Sequence, residues 1–258
     1  MGLRQVTEAT GPDAEVYAHL MDAVGTPRMD RALFECANRI HRVDEIFGFE
    51  LDADAVPQPI GWMGARADAA ARVALYAKRF YQLDPLLRDL RNAPRKGAVF
   101  LRTTRASAIT DEEYRWYCYD LPGLEEKISI ARPTGSGWNI LNFYRRDSCR
   151  PDEVAALATF GVFALAAIAK HGHLLSLDDI ASPTADPIDR VARLLRLRFP
   201  DLTRRESEVC SHSLLGGRSI EIGERLGVAQ STVLTYRRRA YGRLGIGSAS
   251  ELVAHLLP

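Results

Sequence analysis

Apolar residues recur three and four apart over residues 13–24 and 29–42, the spacing that turns one face of an α-helix toward a core. The period then changes. Val43 to Leu51 and Ile60 to Arg66 are short apolar-rich runs separated by Pro57-Gln58-Pro59, which predicts two strands joined by a turn. Ala67 to Leu83 returns to helical spacing and stops before Asp84-Pro85, because proline disfavours helical geometry in the residue before it. Thr110 with Glu113 three residues on predicts a capped helix start. Ile128 to Ala131 and Trp138 to Tyr144 predict a hairpin across residues 133–137, and a long helix follows from Asp152 to about Leu175. Hairpins in place of regular strand–helix alternation predict the α+β class: an α-β-α sandwich with an antiparallel sheet. A phospho-receiver unit, which alternates regularly around a parallel sheet, is excluded on the same ground.

Residues 177–187 are polar with two prolines and form the expected linker between a domain of residues 1–176 and one of residues 188–258. The second domain is predicted to be small and all-helical. Thr203 with Glu206, and Ser248 with Glu251, are capping boxes that mark helix starts. Between them Ile222 and Leu226 form an apolar pair four apart, Gly227 breaks the helix, and an arginine-rich helix follows. That is the pattern of a helix-turn-helix, which lays its second helix in the DNA major groove. Gly223 is expected to be small because the two helices cross there, and Gly227 to support a left-handed turn.

At 100° per residue, Val233, Ala240 and Leu244 share one face of the second helix with Tyr236 at its margin. Ser231, Leu234, Thr235, Arg238 and Gly242 lie opposite, and Arg237, Arg239 and Arg243 fall between. The opposite stripe, with Thr232 at the helix start, is the expected groove face. The flanking arginines suit phosphates, and Arg238 suits a bidentate guanine contact.

Composition sharpens this division. The net charge is only +1 over 258 residues, but residues 188–258 carry twelve arginines against seven acidic residues, +5. The remaining 22 basic and 26 acidic residues leave the first domain at −4. A basic tail on an acidic body is the electrostatic footprint of a phosphate-binding domain. The four cysteines are widely spaced, so neither a zinc site nor a disulfide framework is expected, and a reducing cytoplasm is the natural compartment. The apolar run Val154 to Ala169 is sixteen residues, short of the ~20 a membrane span needs, and predicts a buried or interface helix.

Residues 202–252 resemble the C-terminal DNA-binding domain of the LuxR/GerE regulators. The resemblance rests on Leu202-Thr203, Arg205-Glu206, Glu208-Val209, Gly216, Glu221-Ile222, Leu226-Gly227, Thr232-Val233, Arg243-Leu244 and Glu251-Leu252. Departures are Cys210, Gly223, Ala229, Tyr236 and Ala240, where the family pattern has Leu, Ala, Ser, His and Ile. Ala229 removes an N-cap side chain worth ~1 kcal/mol unless Gln230 or Ser231 substitutes. The resemblance implies double-stranded DNA as partner, a homodimer, and RNA polymerase as a candidate contact. Dimerisation through the last helix would use Leu252, Val253, Leu256 and Leu257; core packing of the same domain is the other reading.

The first domain resembles the family's autoinducer-binding layout. Members that bind acyl-homoserine lactones carry Trp-x3-Tyr-x4-Tyr-x3-Asp-Pro, whose aspartate binds the ligand amide. Here those aromatic places hold Ala71, Leu75 and Phe80, although Asp84 remains. The ligand is therefore not carried over. Trp62, Tyr76, Phe80, Trp116, Asp84 and Ser129 are the candidate lining of a pocket for a small apolar signal, and a helix-ending Asp-Pro turn is the other reading of Asp84.

An enzyme is not expected. His171-Gly172-His173 lacks the i, i+4 spacing of a metal pair, and Cys118 has no adjacent base. No catalytic residue, metal or cofactor is assigned. The sequence thus predicts a cytoplasmic, DNA-binding transcription regulator under the control of a small apolar ligand, quorum-sensing-like or orphan. The alternative is a ligand-independent regulator whose first domain only dimerises.

Overall fold

The computed structural model describes residues 4–5, 14–52, 57–64, 68–94, 97–135, 137–181 and 186–256. The chain forms two compact units, one from Met1–Pro133 and Gly137–Gly172, the other chiefly from His173–Pro258.

The first unit is built on an antiparallel sheet. Its strands are β1 (Arg4–Gln5), β2 (Glu45–Asp52), β3 (Gln58–Gly64), β4 (Phe100–Arg105), β5 (Glu126–Pro133) and β6 (Gly137–Arg145). Their order across the sheet is β1-β4-β5-β6-β2-β3. The β5–β6 hairpin and the β2–β3 pair are the four strands that hydrophobic patterning predicts. β4 is additional: in FLRTTR, arginines and threonines fill the run, so no apolar period marks it. Pro59, expected in the turn, is paired within β3, where the edge position tolerates a residue without an N–H.

Alternation along the strands separates two cores. Ile46, Ile128, Ile130, Leu141 and Phe143 pack with helices α1 (Ala14–Ala23), α2 (Met29–Ile40) and α6 (Pro151–Ala181). Phe47, Phe49, Ala131, Ile140 and Tyr144 pack with α3 (Ala69–Leu75), α4 (Pro85–Leu90) and α5 (Glu112–Arg115). Three layers result, as expected. The predicted helix 67–83 changes winding: after α3 it continues as a π-helical turn, Tyr76–Phe80, and a 3-10 turn, Tyr81–Leu83. The wider turn brings Tyr76, Ala77 and Phe80 inward. The cap of α5 is Asp111, not Thr110; its carboxylate accepts from the Tyr114 N–H at 2.8 Å.

α6 is long and apolar enough to cross a membrane, but Leu157, Phe160, Ala164 and Leu165 are buried against the sheet. It also runs through residues 177–181, expected as linker, so only residues 182–186 separate it from α7 (Pro187–Arg198). The second unit continues with α8 (Arg204–Leu214), α9 (Ser219–Leu226), α10 (Gln230–Leu244) and α11 (Ala249–Leu256). Two small cores hold it: Leu195, Leu202, Cys210, Ala240, Ile246 and Leu252, and beside them Val209, Ile222 and Val233.

Candidate nucleic-acid interface and sensor interior

Local chemistry builds the helical unit. The Thr203 hydroxyl accepts from the Glu206 N–H at 3.1 Å, and the Glu206 carboxylate accepts from the Thr203 N–H at 2.9 Å. Ser248 and Glu251 repeat the arrangement at the start of α11, where Glu251 accepts from Gly247 N–H. α9 ends on Gly227 in the left-handed region, φ +66°. A Cβ on Gly223 would lie 2.7 Å from the Val228 carbonyl oxygen, so the close approach is to the turn backbone. α10 begins at Gln230 behind Ala229, which makes no side-chain cap bond. Gln230 and Ser231 lie within the helix rather than replacing that cap.

On α10, Val233 and Ala240 are buried, and Tyr236 and Leu244 half-buried. The opposite stripe is open: Ser231, Leu234, Arg238 and Gly242 are exposed, Leu234 by 42%. Thr232 and Thr235 are half-buried, and the Thr235 hydroxyl donates to the Ser231 carbonyl at 2.9 Å. Arg237 is half-buried and Arg239 exposed. Arg238 is exposed without an ion pair or hydrogen bond among the described residues. Arg243 is held within its own domain. Its Nε donates to the buried Glu206 carboxylate at 3.2 Å, and a second nitrogen to the Asp201 carbonyl at 3.4 Å, so it ties α10 to α8.

The expected dimer residues divide as well. Leu252 is fully buried in the domain's own core and Leu256 packs against it, because the last helix closes this small unit. Val253 is 45% exposed. Leu257 lies outside the described residues.

The candidate pocket residues lie on the α3–α5 side of the sheet, within a core of buried aromatic side chains that includes Phe49, Tyr76, Phe80, Tyr114 and Tyr119. Asp84 caps α4, accepting from Leu86 N–H at 2.9 Å. The same carboxylate accepts from the Tyr76 hydroxyl at 2.7 Å and from Lys127 Nζ at 2.5 Å. All three side chains are buried, Lys127 completely. Burial alone would raise the Asp84 carboxyl, but the Lys127 charge and the three hydrogen bonds bring it below its ordinary value. Burial would likewise strip the proton from Lys127; the facing Asp84 outweighs it and holds the ammonium above its ordinary range. Phe80 and Tyr114 stack at 5.8 Å beside the pair, and Tyr76 meets Phe49 at 5.1 Å.

Of the six candidate lining residues, the fold brings Tyr76, Phe80, Asp84 and Ser129 to this interior. Ser129 Oγ is buried without a hydrogen-bond partner, as is Oδ1 of Asn142 directly across the β5–β6 ladder. Trp116 does not join them: it sits on a π-helical turn, Trp116–Asp120, and is 54% exposed. Trp62 lies in β3, and its side chain is outside the described residues. Lys127 is the residue that sequence reasoning missed. The available signal was its position in phase with Ser129 and Ala131, opposite Ile128 and Ile130.

Burial pushes the Cys118, Cys149 and Cys210 thiols up to about 12, which leaves them protonated and unreactive. His171 Nδ1 accepts from Gly25 N–H at 3.0 Å. No cluster of three or more potential metal ligands occurs among the described residues.

A helix-turn-helix with a basic second helix beside an α-β-α domain defines a DNA-binding regulator by its architecture. Residues 200–256 match the family model described as bacterial regulatory proteins, luxR family, and the C-terminal domain belongs to that family. A proposed HTH-type transcriptional regulator in the exeN 3' region of Aeromonas salmonicida is 28% identical over 180 residues, 66% of this chain and 90% of that protein. Among solved structures, the VqsR LBD domain of Pseudomonas aeruginosa superposes with a TM-score of 0.49 at 19% identity, covering 62% of this chain and 96% of that one. Escherichia coli SdiA superposes at 0.41 and 15% identity, covering 88% and 89%.

Proposed function

We propose that this chain is a sequence-specific LuxR-type regulator that takes its DNA-binding form with the Asp84 interior filled from within. The observation that carries this reading is the buried Lys127–Asp84 pair. In the family pattern the aspartate holds a ligand amide; here Lys127, Tyr76 and Leu86 N–H use that carboxylate. The exposed stripe of α10, centred on Arg238, reads bases in the major groove. Arg237 and Arg239 meet phosphates on either side, and a symmetric dimer would read half-sites about 34 Å apart. RNA polymerase contact and a cytoplasmic location follow from that role.

The test is selection of duplexes from a random pool by the full chain, purified without added signal molecule. A recovered two-fold symmetric motif supports the reading, and a motif that emerges only when a small apolar extract is added overturns it. Arg238→Ala should relax preference at one base position by about 1–3 kcal/mol, whereas Arg237→Ala and Arg239→Ala should weaken all sequences and flatten the salt dependence. A second reading, control by a small ligand with a hydrogen-bonding head, is favoured by the unpartnered Ser129 Oγ and Asn142 Oδ1 on the Lys127 side of the sheet. It requires that ligand to displace Lys127 or Tyr76 from Asp84.

A further inference from the structure

The opposite face of the same sheet carries an open groove of about 770 Å³, within the size range of small-molecule sites. Val99, Val162, Phe163 and Ala166 give it apolar walls, and Tyr17 meets Phe163 edge-on at 4.6 Å. These are side chains that the α1–α2–α6 core leaves partly exposed. Two polar features interrupt the apolar lining. Thr159 lines the groove with its hydroxyl buried and without a partner, although a helical threonine ordinarily donates to the carbonyl four residues back. Arg132 lies at the strand end on the rim, exposed, with no ion pair or hydrogen bond among the described residues.

An apolar trough with one cation at its rim and one hydroxyl inside suits a molecule with a hydrocarbon chain and an anionic head. We infer that this groove binds a medium-chain aliphatic carboxylate, its head on Arg132 and its chain along α6. The carboxylate gains a charge-assisted bond to the guanidinium, and the chain removes the partly exposed apolar side chains from water. The site is separate from the Asp84 interior and does not depend on whether that interior is ligand-free.

The probe is decanoate, kept below its micelle concentration and titrated calorimetrically into the full chain. One-to-one saturable binding is expected, with decanol about tenfold weaker because it lacks the charge. Arg132→Gln should weaken decanoate about tenfold and leave decanol unchanged. Ala166→Trp, at an exposed position that leaves folding intact, should block both. Decanoate binding that is indifferent to both substitutions would overturn the assignment. So would binding lost in Ser129→Ala but kept in Arg132→Gln, which would put the site on the other face. If Ala166→Trp abolishes self-association and decanoate does not bind, the groove is a contact between copies and the proposal fails.

Discussion

The two units differ in where they place some of their charges. The first buries two pairs between helices and sheet, Lys127 with Asp84 and Arg72 with Glu45, beside exposed pairs such as Arg31 with Glu35 and Arg79 with Glu113. The second displays charge, with Arg238 and Arg239 on the solvent side of α10. Buried pairs cost desolvation and return it only while both partners stand, so they specify one packing and add little net stability. Exposed arginines stabilise little, but they release counterions from DNA. On the proposed function, the buried pairs of the first unit serve folding and the exposed arginines of α10 serve binding. Arg243 crosses this division, being an arginine of the basic helix held by the buried Glu206 carboxylate.

The largest effect should come from breaking one buried pair. Lys127→Met strands the Asp84 carboxylate and should cost about 3–5 kcal/mol, while Lys127→Met with Asp84→Asn should recover most of it. The three tryptophans all lie in the first unit, so urea unfolding followed by their fluorescence isolates that unit. A loss under 1 kcal/mol would show that the pair is not buried as described.

The pH dependence follows from the same pair. The Asp84 carboxyl is held below its ordinary value, so its contribution is present above the usual carboxylate range, near pH 4, and lost as pH falls through the lowered folded value. The Lys127 ammonium is held above its ordinary value, so its contribution is present below about pH 10 and lost as pH rises beyond it. Tryptophan-detected stability should be flat across neutrality and fall in acid; a midpoint near pH 6.5 would implicate a histidine instead.

Arg243→Ala sharpens the comparison within the second unit. It should lower that unit's helix melting by on the order of 1 kcal/mol and change the salt slope of DNA binding little. Arg239→Ala should do the reverse, leaving melting within about 0.5 kcal/mol and reducing the slope. The smallest effect belongs to Trp116→Ala. The exposed indole supports no core, so stability should change by less than about 0.5 kcal/mol.

How much was legible follows the same divide. The caps at Thr203 and Ser248, the left-handed Gly227 and the face of α10 are features of residues three to ten apart. Each was readable because the chemistry that sets it is local. In the first domain the hairpin β5–β6 and the layer order were readable from period and turn. β4 was not, since its alternate positions carry arginine and threonine that only their sheet neighbours explain. Trp116 looked like pocket lining because aromatic composition says nothing about which side of a π-helical turn meets solvent. Asp84 stood out beside its proline, yet its partner Lys127 lies 43 residues away on another element.

The sequence by itself determined that this protein carries a LuxR-family helix-turn-helix, and which arginines of its second helix point away from the core. Helical periodicity and capping are written within one or two turns, so no distant residue was needed. Only the tertiary structure decided which groups hold the Asp84 carboxylate, that Arg243 is anchored to its own domain, and that Leu252 is core. Those outcomes depend on desolvation and on partners brought from remote strands and helices, and a charge is buried or exposed only once the chain has folded around it.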